Sequence, residues 1–563
     1  MRSGRFALDV HLPLAKEADG RVSYHVGAHY SDLITFLLDP RSYPDSPSGI
    51  VHHETHISHV FVGDAYVYKI KKPVNFGFLD FSTLGKRRFY CHEEVVLNSR
   101  LAGDVYLGVV PIYGRGGRYS FRRPKGAGIV EYAVRMRTIP DERLLSSLIG
   151  AGRLLEDEAA EVGAMVARFH RQAPAHRAGP YGGLSTVRTN TEENFEQIGA
   201  YRGVTVDAGL YDRLVEKTHA FLQDHEALFG QRKTRGFVRE GHGDLHTQHV
   251  CLIRPPVIVD CIEFNKRFRI GDVLEDIAFL LMDLEEKGRH DLALAVSRAY
   301  FTRFPSACSL ELLRFYKTYR AVVRGKIEGF TAKALAEEDP GAAGAAKRRA
   351  ADYFGLAGYY MEQAHSFFNP VVLMGPAGSG KSAAAKGLLG DALVLRSDEV
   401  RKRIAGLKAA DHVYVDYGTG LYNAETTHRT YRALTQEAGA ACREGRRVVV
   451  DAAFLASDLV RQFYEASIKE GLNPFFISCF ADHGVLRERV RRRVEDGSDV
   501  SDAHPAVLER QLAVMEAPKD IPSFRLMRID TGRASPEEIR QALWLFLAPG
   551  GARGGRDGSE VAC

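Results

Sequence analysis

The hydrophobic rhythm of this chain changes character several times along its length. From about 55 to 135 short apolar runs are broken by turns, and HVFVGDAYVYKIK reads as two strands around a Gly63-Asp64 turn. A helical stretch follows (KRRFYCHEEVVLNSRLA), then VYLGVVPIY, a GRGG turn, RYSF and IVEYAVRM. From 141 to 335 long helical patterns dominate, interrupted near 237–264 by a compact polar segment between short apolar runs. Residues 28–39 predict a short amphipathic helix and PRSYPDSPSG a loop. Residues 336–350, Ala/Gly-rich with one Pro, read as an inter-domain linker, with a helix expected over 351–367. Beyond 369 the apolar runs VVLM, ALVLRS, RRVVVD, NPFFISCF and FRLMRID alternate with helical segments, the pattern of a parallel sheet wrapped by helices. The tail, residues 549–563, has no apolar periodicity and is expected to be disordered.

At 563 residues the chain is too long for one typical core. A net charge of +5 on that length argues for no polyanionic partner, and no basic–aromatic platform points to nucleic acid. Seven cysteines are dispersed with no C-x-x-C pair, which suits a reducing compartment and neither a disulfide framework nor a zinc ribbon. The first residues lack an apolar signal-like core and no apolar run approaches membrane-spanning length, so a cytoplasmic protein without a membrane partner is the expectation.

The densest chemistry follows the VVLM run. Gly375-Pro376-Ala377-Gly378-Ser379-Gly380-Lys381-Ser382 is a P-loop pattern, set between an expected strand and an expected helix. Glycines let backbone N–H groups curl around phosphate oxygens, and the helix N-terminus adds its dipole. Lys381 is positioned to reach the β- and γ-phosphates of a nucleoside triphosphate, and Ser382 to ligate Mg²⁺. Asp398 follows the second strand with Arg401 one helical turn later, suiting a proton acceptor beside an anion holder. Asp451 ends the third strand, where a carboxylate can hold Mg²⁺; Asp398 and Asp451 could exchange these roles. The segment VLRERVRRRVEDGSDVSDA carries five arginines between 487 and 493, with Arg489 and Arg493 on one helical face, as in a lid that closes on phosphates. The other reading of this segment is a solvated basic helix paired with Glu488 and Glu495.

GPAGSGKS, SDEVRKRIAG, VVVDAAF and the arginine segment together resemble the small P-loop kinases, a group that includes gluconate kinase, adenylylsulfate kinase, the kinase part of polynucleotide kinase and zeta toxins. The resemblance covers roughly 369–547. It implies that Asp398 is the base, Arg401 touches the acceptor, and Arg489 and Arg493 belong to a lid.

A second constellation lies at 242–263, in HGDLHTQHV and VIVDCIEF. Asp244 sits in a tight polar loop and Asp260 ends a Val/Ile-rich run, a spacing that suits one carboxylate for the acceptor proton and one for Mg²⁺. Upstream, Lys69 on a strand and Glu94 on the next helix have the spacing of a phosphate-binding lysine steadied by a carboxylate. Asp272 or Asp276 could brace the polar loop, and the aromatics of 313–329 read as core packing. The histidines of HHETHISH (52–59) read as structural or solvated, and a zinc site on His242, His246 and His249 is a minor reading.

This arrangement resembles the aminoglycoside phosphotransferase-like (kinase-fold) family over about 55–335. The resemblance implies Asp244 as base, Asp260 as chief metal ligand, and VEYAVRM (130–136) as the hinge against which adenine packs. His249 stands where the family has an Asn that helps bind Mg²⁺, and imidazole suits softer metals. The whole chain resembles bacterial fusions of the two domain types. The implied architecture is a bilobal α+β kinase-like domain over 1–335 (small lobe about 55–136, helical lobe about 137–335), a linker and connecting helix over 336–368, and an α/β P-loop kinase domain over 369–548. The expected activity is ATP- and Mg²⁺-dependent transfer of the γ-phosphoryl group to a small hydroxyl-bearing acceptor: a sugar, sugar acid, nucleoside or aminoglycoside-like molecule. Two alternatives stay open: a single working P-loop kinase with a regulatory or degenerate N-terminal domain, and a non-catalytic nucleotide switch.

Overall fold

The computed structural model describes residues 28–77, 79–362, 369–388, 392–408, 423–496, 504–519 and 521–534. The chain forms two compact units, one built chiefly from residues up to Asp283 with Ala295–Gly358, the other from Leu284–Leu294 with the chain from Tyr359. The tail at 549–563 and the end of the arginine segment at 497–503 lie outside the described residues.

The first unit opens with a six-stranded antiparallel sheet: β1 (Val51–Glu54), β2 (Ser58–Val62), β3 (Tyr66–Lys71), β4 (Tyr106–Arg115), β5 (Arg118–Ser120) and β6 (Gly128–Arg137), in the order β1-β2-β3-β6-β4-β5. The Gly63 N–H donates to the Tyr66 carbonyl at 2.9 Å, closing the hairpin that the Gly-Asp pair announces. Both faces of the sheet are covered. Phe61, Tyr68 and Ile70 pack with Leu33 and Leu37 of the helix Ala28–Leu38, while Val60, Val67 and Val134 pack with Cys91 of the helix Leu84–Ala102. That two-sided burial is why the β2 and β3 segments read as nearly continuous apolar runs. The Thr83 hydroxyl caps the helix Leu84–Ala102 by accepting from the Lys86 N–H at 3.2 Å. From this helix Arg87 reaches β6, where its Nε donates to Glu131 at 2.8 Å in a buried pair.

One expectation fails here. VEYAVRM lies wholly inside β6, whose residues pair with β3 and β4, so its backbone is committed to the sheet rather than open to an adenine ring. The chain leaves the sheet only after Arg137. The helical part follows, with Glu156–Gln172, Leu184–Gly199, Val273–Glu286 and Leu310–Ala334 among its helices. Phe315, Tyr316 and Tyr319 are buried, and Phe315 stacks on Phe221 at 4.7 Å, as core aromatics do. Two short antiparallel pairs, β7 (Val238–Glu240) with β10 (Ile270–Asp272) and β8 (Val250–Cys251) with β9 (Val257–Ile258), frame the polar segment.

The Ala/Gly-rich stretch is not an open linker. One helix runs from Pro340 to Glu362, and its Ala346, Ala350, Tyr353, Phe354 and Ala357 are buried at helical spacing. Alanine's high helix propensity and this apolar stripe outweigh the glycines. Among the described residues Cys91, Cys251, Cys261, Cys442 and Cys479 are free and buried.

The second unit is a five-stranded parallel sheet: β11 (Val371–Met374), β12 (Leu393–Arg396), β13 (Val448–Asp451), β14 (Phe475–Phe480) and β15 (Leu526–Asp530), in the order β12-β13-β11-β14-β15. The order reverses direction beside β11, and in such sheets the ligand crevice lies at the strands' carboxyl ends there. Phe454, Phe463 and Phe476 meet edge-to-face beneath the sheet. Phe463→Ala removes a fully buried ring from this cluster and is expected to cost about 3–5 kcal/mol. A fall in the denaturant midpoint of the second unit's transition is the measurement, and an unchanged midpoint would refute the packing account.

Candidate active sites

In the first unit the alternation of β3 puts Lys69 and Lys71 on one face, toward the helix Leu84–Ala102. Lys69 Nζ lies 2.9 Å from Glu94 Oε1 and 2.7 Å from Asp260 Oδ1. Lys71 Nζ lies 2.8 Å from Glu94 Oε2 and also pairs with Glu263. Burial alone would discharge Lys69, but Asp260 and Glu94 outweigh it and hold its pKa well above the ordinary lysine value. Burial likewise opposes the charge on Glu94, and the two lysines reverse that, lowering its pKa. Asp260 sits two residues beyond β9 with φ +65°, a left-handed conformation uncommon for a non-glycine residue. The Tyr106 hydroxyl oxygen accepts from its N–H at 3.1 Å.

The HGD loop is braced by Asp276 of the helix Val273–Glu286. Its carboxylate accepts from the His242 N–H at 2.5 Å and the Gly243 N–H at 2.8 Å, and faces His170 Nε2 at 3.2 Å. Asp272, the other candidate brace, instead pairs with Arg232. Gly243 has φ +86°, and a Cβ there would stand 2.8 Å from the Phe268 carbonyl oxygen, so the tight loop requires glycine. Asp244 Oδ2 is 3.5 Å from both His246 Nε2 and His249 Nδ1. Burial raises the Asp244 carboxyl pKa, yet His246 and then His249 more than offset that and hold it well below the usual range. The loop therefore presents an ionised carboxylate able to accept a hydrogen bond from a hydroxyl. Of the three histidines of this segment, His246 and His249 gather with Asp244 within ligand reach of one another, while His242 turns to the Val259 carbonyl at 3.0 Å. The earlier histidines are structural in part: His52 Nε2 and His59 Nδ1 lie 3.0 Å apart across β1 and β2.

In the second unit Gly375 follows β11 with φ +138°, and a Cβ there would stand 2.2 Å from the Cys479 carbonyl oxygen. Only glycine lets the loop begin that close to β14. Lys381 Nζ folds back onto the loop, 2.8 Å from the Gly375 carbonyl oxygen and 2.9 Å from that of Pro376. The Ser382 hydroxyl donates to Asp451 Oδ2 at 2.8 Å. Asp398, in the first turn of the helix Ser397–Ile404, lies 3.4 Å from Arg401 Nη1. Arg489 reaches the loop as well, its Nη1 donating to the Gly378 carbonyl at 3.3 Å and its Nη2 to the Thr531 carbonyl at 2.7 Å. The Ala377 N–H donates to Gln511 Oε1 at 2.8 Å. Asp398, Arg401, Asp451, Arg489 and Arg493 all line one cleft of about 730 Å³ together with the loop. The remaining arginines of the segment are surface groups, Arg487 paired with Glu509, Arg491 and Arg492 with Glu488.

Residues 134–310 match the model of the phosphotransferase enzyme family, and residues 371–518 match the model of an AAA domain. The chain joins a phosphotransferase-family domain to an AAA-type P-loop domain. With both matches the chain is a kinase-class enzyme. Uncharacterized proteins of Mycobacterium tuberculosis and Mycobacterium bovis are each 29% identical over 506 residues, spanning 88% of this chain and 94% of theirs. Among solved structures, a sugar kinase from a Janibacter species is 22% identical, covering 32% of this chain and 96% of its own at a TM-score of 0.24. A choline/ethanolamine kinase family protein from Mesorhizobium loti is 12% identical, covering 59% and 99% at a TM-score of 0.31. Likenesses at these scores carry no inference about this chain. Among the described residues no helix is long and apolar enough to cross a membrane.

Sequence reasoning passed over Lys71, Glu263 and Tyr106 in the phosphotransferase-family domain, and Gln511 and Thr531 in the P-loop domain. Lys71 was findable, since two lysines two apart on a strand share a face. Tyr106 and Gln511 reach their sites across long stretches of chain and leave no local signature.

Asp276 supports a pH prediction. Burial opposes its charge, but contacts from His170 and the His242 N–H win, so its folded pKa lies below the ordinary value. Its stabilisation is therefore complete above about pH 4 and is lost as pH falls further. Asp276→Asn is expected to cost about 2–3 kcal/mol near neutrality, with the gap from the parent narrowing below about pH 4. Denaturant midpoints of both proteins across pH 3–8 check this; a gap that widens in acid would refute the assignment.

Proposed function

We propose that the chain is an ATP-dependent phosphotransferase with two nucleotide sites, each moving the γ-phosphoryl group to a small hydroxyl-bearing acceptor such as a sugar, sugar acid or nucleoside. The observation that carries this reading is the cleft of the P-loop domain. There the Ser382–Asp451 pair, an acceptor-side Asp398 and two arginines, Arg489 and Arg493, converge on one phosphate loop. A pure nucleotide switch needs no carboxylate and arginine on the acceptor side of its phosphates.

Roles follow from chemistry. Ser382 and Asp451 offer hard oxygen ligands already within hydrogen-bond reach of each other, which fits Mg²⁺. Ser382 and Asp451 would hold Mg²⁺ there, where it would supply charge neutralisation for the β- and γ-phosphates. That leaves Asp398 as the group that accepts the acceptor's proton, with Arg401 beside it to hold an anionic part of the acceptor. Lys381 exchanges its two loop carbonyls for phosphate oxygens, and Arg489 and Arg493 stabilise charge as the phosphoryl group transfers. In the phosphotransferase-family domain Asp244 takes the role of base, Lys69, steadied by Glu94, holds phosphates, and Asp260 with His249 would hold the dication.

Three substitutions separate these roles. Lys381→Ala is expected to abolish turnover at the P-loop site. Asp398→Asn is expected to leave nucleotide affinity unchanged while slowing transfer by roughly 10²-fold or more. Asp451→Asn is expected to weaken Mg²⁺-dependent nucleotide binding instead. Calorimetry together with γ-labelled ATP transfer over a panel of sugars, sugar acids and nucleosides is the test. If affinity collapses in Asp398→Asn and survives in Asp451→Asn, the two carboxylates must exchange roles; if no acceptor is labelled by the parent, the transferase reading falls.

A further inference from the structure

The ring of His249 is held in a way that calls for a cation. Its Nδ1 lies 2.8 Å from the Asp244 carbonyl oxygen, an atom that can only accept, so Nδ1 carries the ring proton. In the neutral ring Nε2 is then a bare lone pair. That atom is buried without a hydrogen-bond partner, in a side chain with 0% exposure. It faces Asp260 Oδ2 at 3.8 Å. A lone pair opposite a carboxylate oxygen in a dry site is unfavourable unless a positive charge, a second ring proton or a metal ion, stands between them. Lys69 does not supply it, because its Nζ is placed against Asp260 Oδ1 and Glu94 Oε1.

The neighbouring histidines differ from it in tautomer, although His246 Nε2 is also buried without a hydrogen-bond partner. His242 uses both nitrogens, Nε2 toward the Val259 carbonyl at 3.0 Å and Nδ1 toward the Asp244 N–H at 3.2 Å. His246 Nδ1 accepts from the Gln248 N–H at 3.3 Å, which leaves its proton on Nε2, the atom facing Asp244 Oδ2. Only His249 among the three offers a lone pair. Its Nδ1 bond to a backbone carbonyl is the outer bond that metal-ligating histidines make, fixing tautomer and ring orientation. With metal–ligand distances of about 2.0–2.2 Å for imidazole nitrogen and carboxylate oxygen, a 3.8 Å gap is within reach of one ion.

We propose that the phosphotransferase-family domain takes a first-row transition dication, of the Mn²⁺ or Zn²⁺ class, on His249 Nε2 and Asp260 Oδ2 in preference to Mg²⁺. The proposal rests on the reading that this domain binds a nucleotide, whose phosphates complete the ion's shell. An imidazole ligand favours Zn²⁺ and the other later first-row dications most strongly and Mn²⁺ less so, whereas Mg²⁺ prefers oxygen throughout. No histidine is among the described residues lining the P-loop cleft, so the two sites of one chain would differ in metal.

The test uses the full-length chain with Mn²⁺ and β,γ-methylene ATP. Pulsed electron paramagnetic resonance is expected to show nitrogen modulation from a directly bound imidazole, lost in His249→Asn. Competition calorimetry is expected to show that the Mn²⁺-over-Mg²⁺ preference of this site falls about tenfold or more in His249→Asn. Nucleotide bound at both sites with no imidazole coupling in the parent overturns the metal proposal alone. So does coupling that disappears in His246→Gln and persists in His249→Asn. Nucleotide bound at the P-loop site only, with any of the three dications, overturns both the proposal and the two-site reading. The parent's spectrum decides the matter even if the His249 variant does not fold.

Discussion

Two lysines on one face of β3 and three carboxylates share a buried space in the first unit, and that charge cluster joins the sheet, the helix Leu84–Ala102 and the loop after β9. Such a cluster is a poor source of stability, because desolvating the ions costs about as much as their attraction returns. Its value is positional. Glu94 holds both lysines, so Lys69 cannot turn away from Asp260 without leaving a carboxylate unpaired in a dry interior. The left-handed backbone at Asp260, a strain of roughly 1–3 kcal/mol, is tolerable because the same lysine and the Tyr106 hydroxyl hold the residue from two sides. Asp276 does the equivalent for the HGD loop with neutral N–H donors.

The second unit reaches its geometry by another route. Parallel strands deliver residues to one edge of the sheet: the phosphate loop follows β11, Asp398 follows β12, Asp451 ends β13 and Thr531 follows β15. The Thr531 hydroxyl donates to the Ser379 carbonyl at 3.0 Å, while the Thr531 carbonyl holds Arg489, so the arginine helix and the loop share an anchor. Lys381 is parked on the loop's own carbonyls, which satisfies its charge until phosphate oxygens replace them.

Much of this was legible because the signals are local. The phosphate loop, the strand-end aspartates and the Gly63-Asp64 hairpin each depend on residues a few positions apart. The arginine segment was half legible: helical spacing put Arg489 and Arg493 on one face, but only the fold shows that face turned to the cleft while Arg491 and Arg492 pair with Glu488. The failures are also physical. VEYAVRM was read as the hinge against which adenine packs, yet its residues pair with β3 and β4 inside the sheet. The stretch at 336–350 looked like a linker because glycine and alanine were weighed together, although alanine favours helix and the buried stripe runs through Ala346 and Ala350. The tautomer of His249 depends on a carbonyl five residues back and a carboxylate eleven residues on, a relation that no spacing encodes.

Arg87 and Glu131 form a second buried ion pair, and it differs from the lysine cluster in evolutionary freedom. It links a helix to β6, and Arg87 also donates to the Phe81 carbonyl at 3.0 Å. A buried pair of this sort can be exchanged as a unit for well-packed apolar side chains at little or no cost, while losing one partner strands a charge in the core. Descendants of this sequence should therefore carry both charges at 87 and 131 or neither. Lys69 and Glu94 have no such second solution, because their geometry is tied to Asp260. Two ion pairs that look alike in burial and distance thus leave opposite marks on sequence drift, one as a correlated change and the other as invariance.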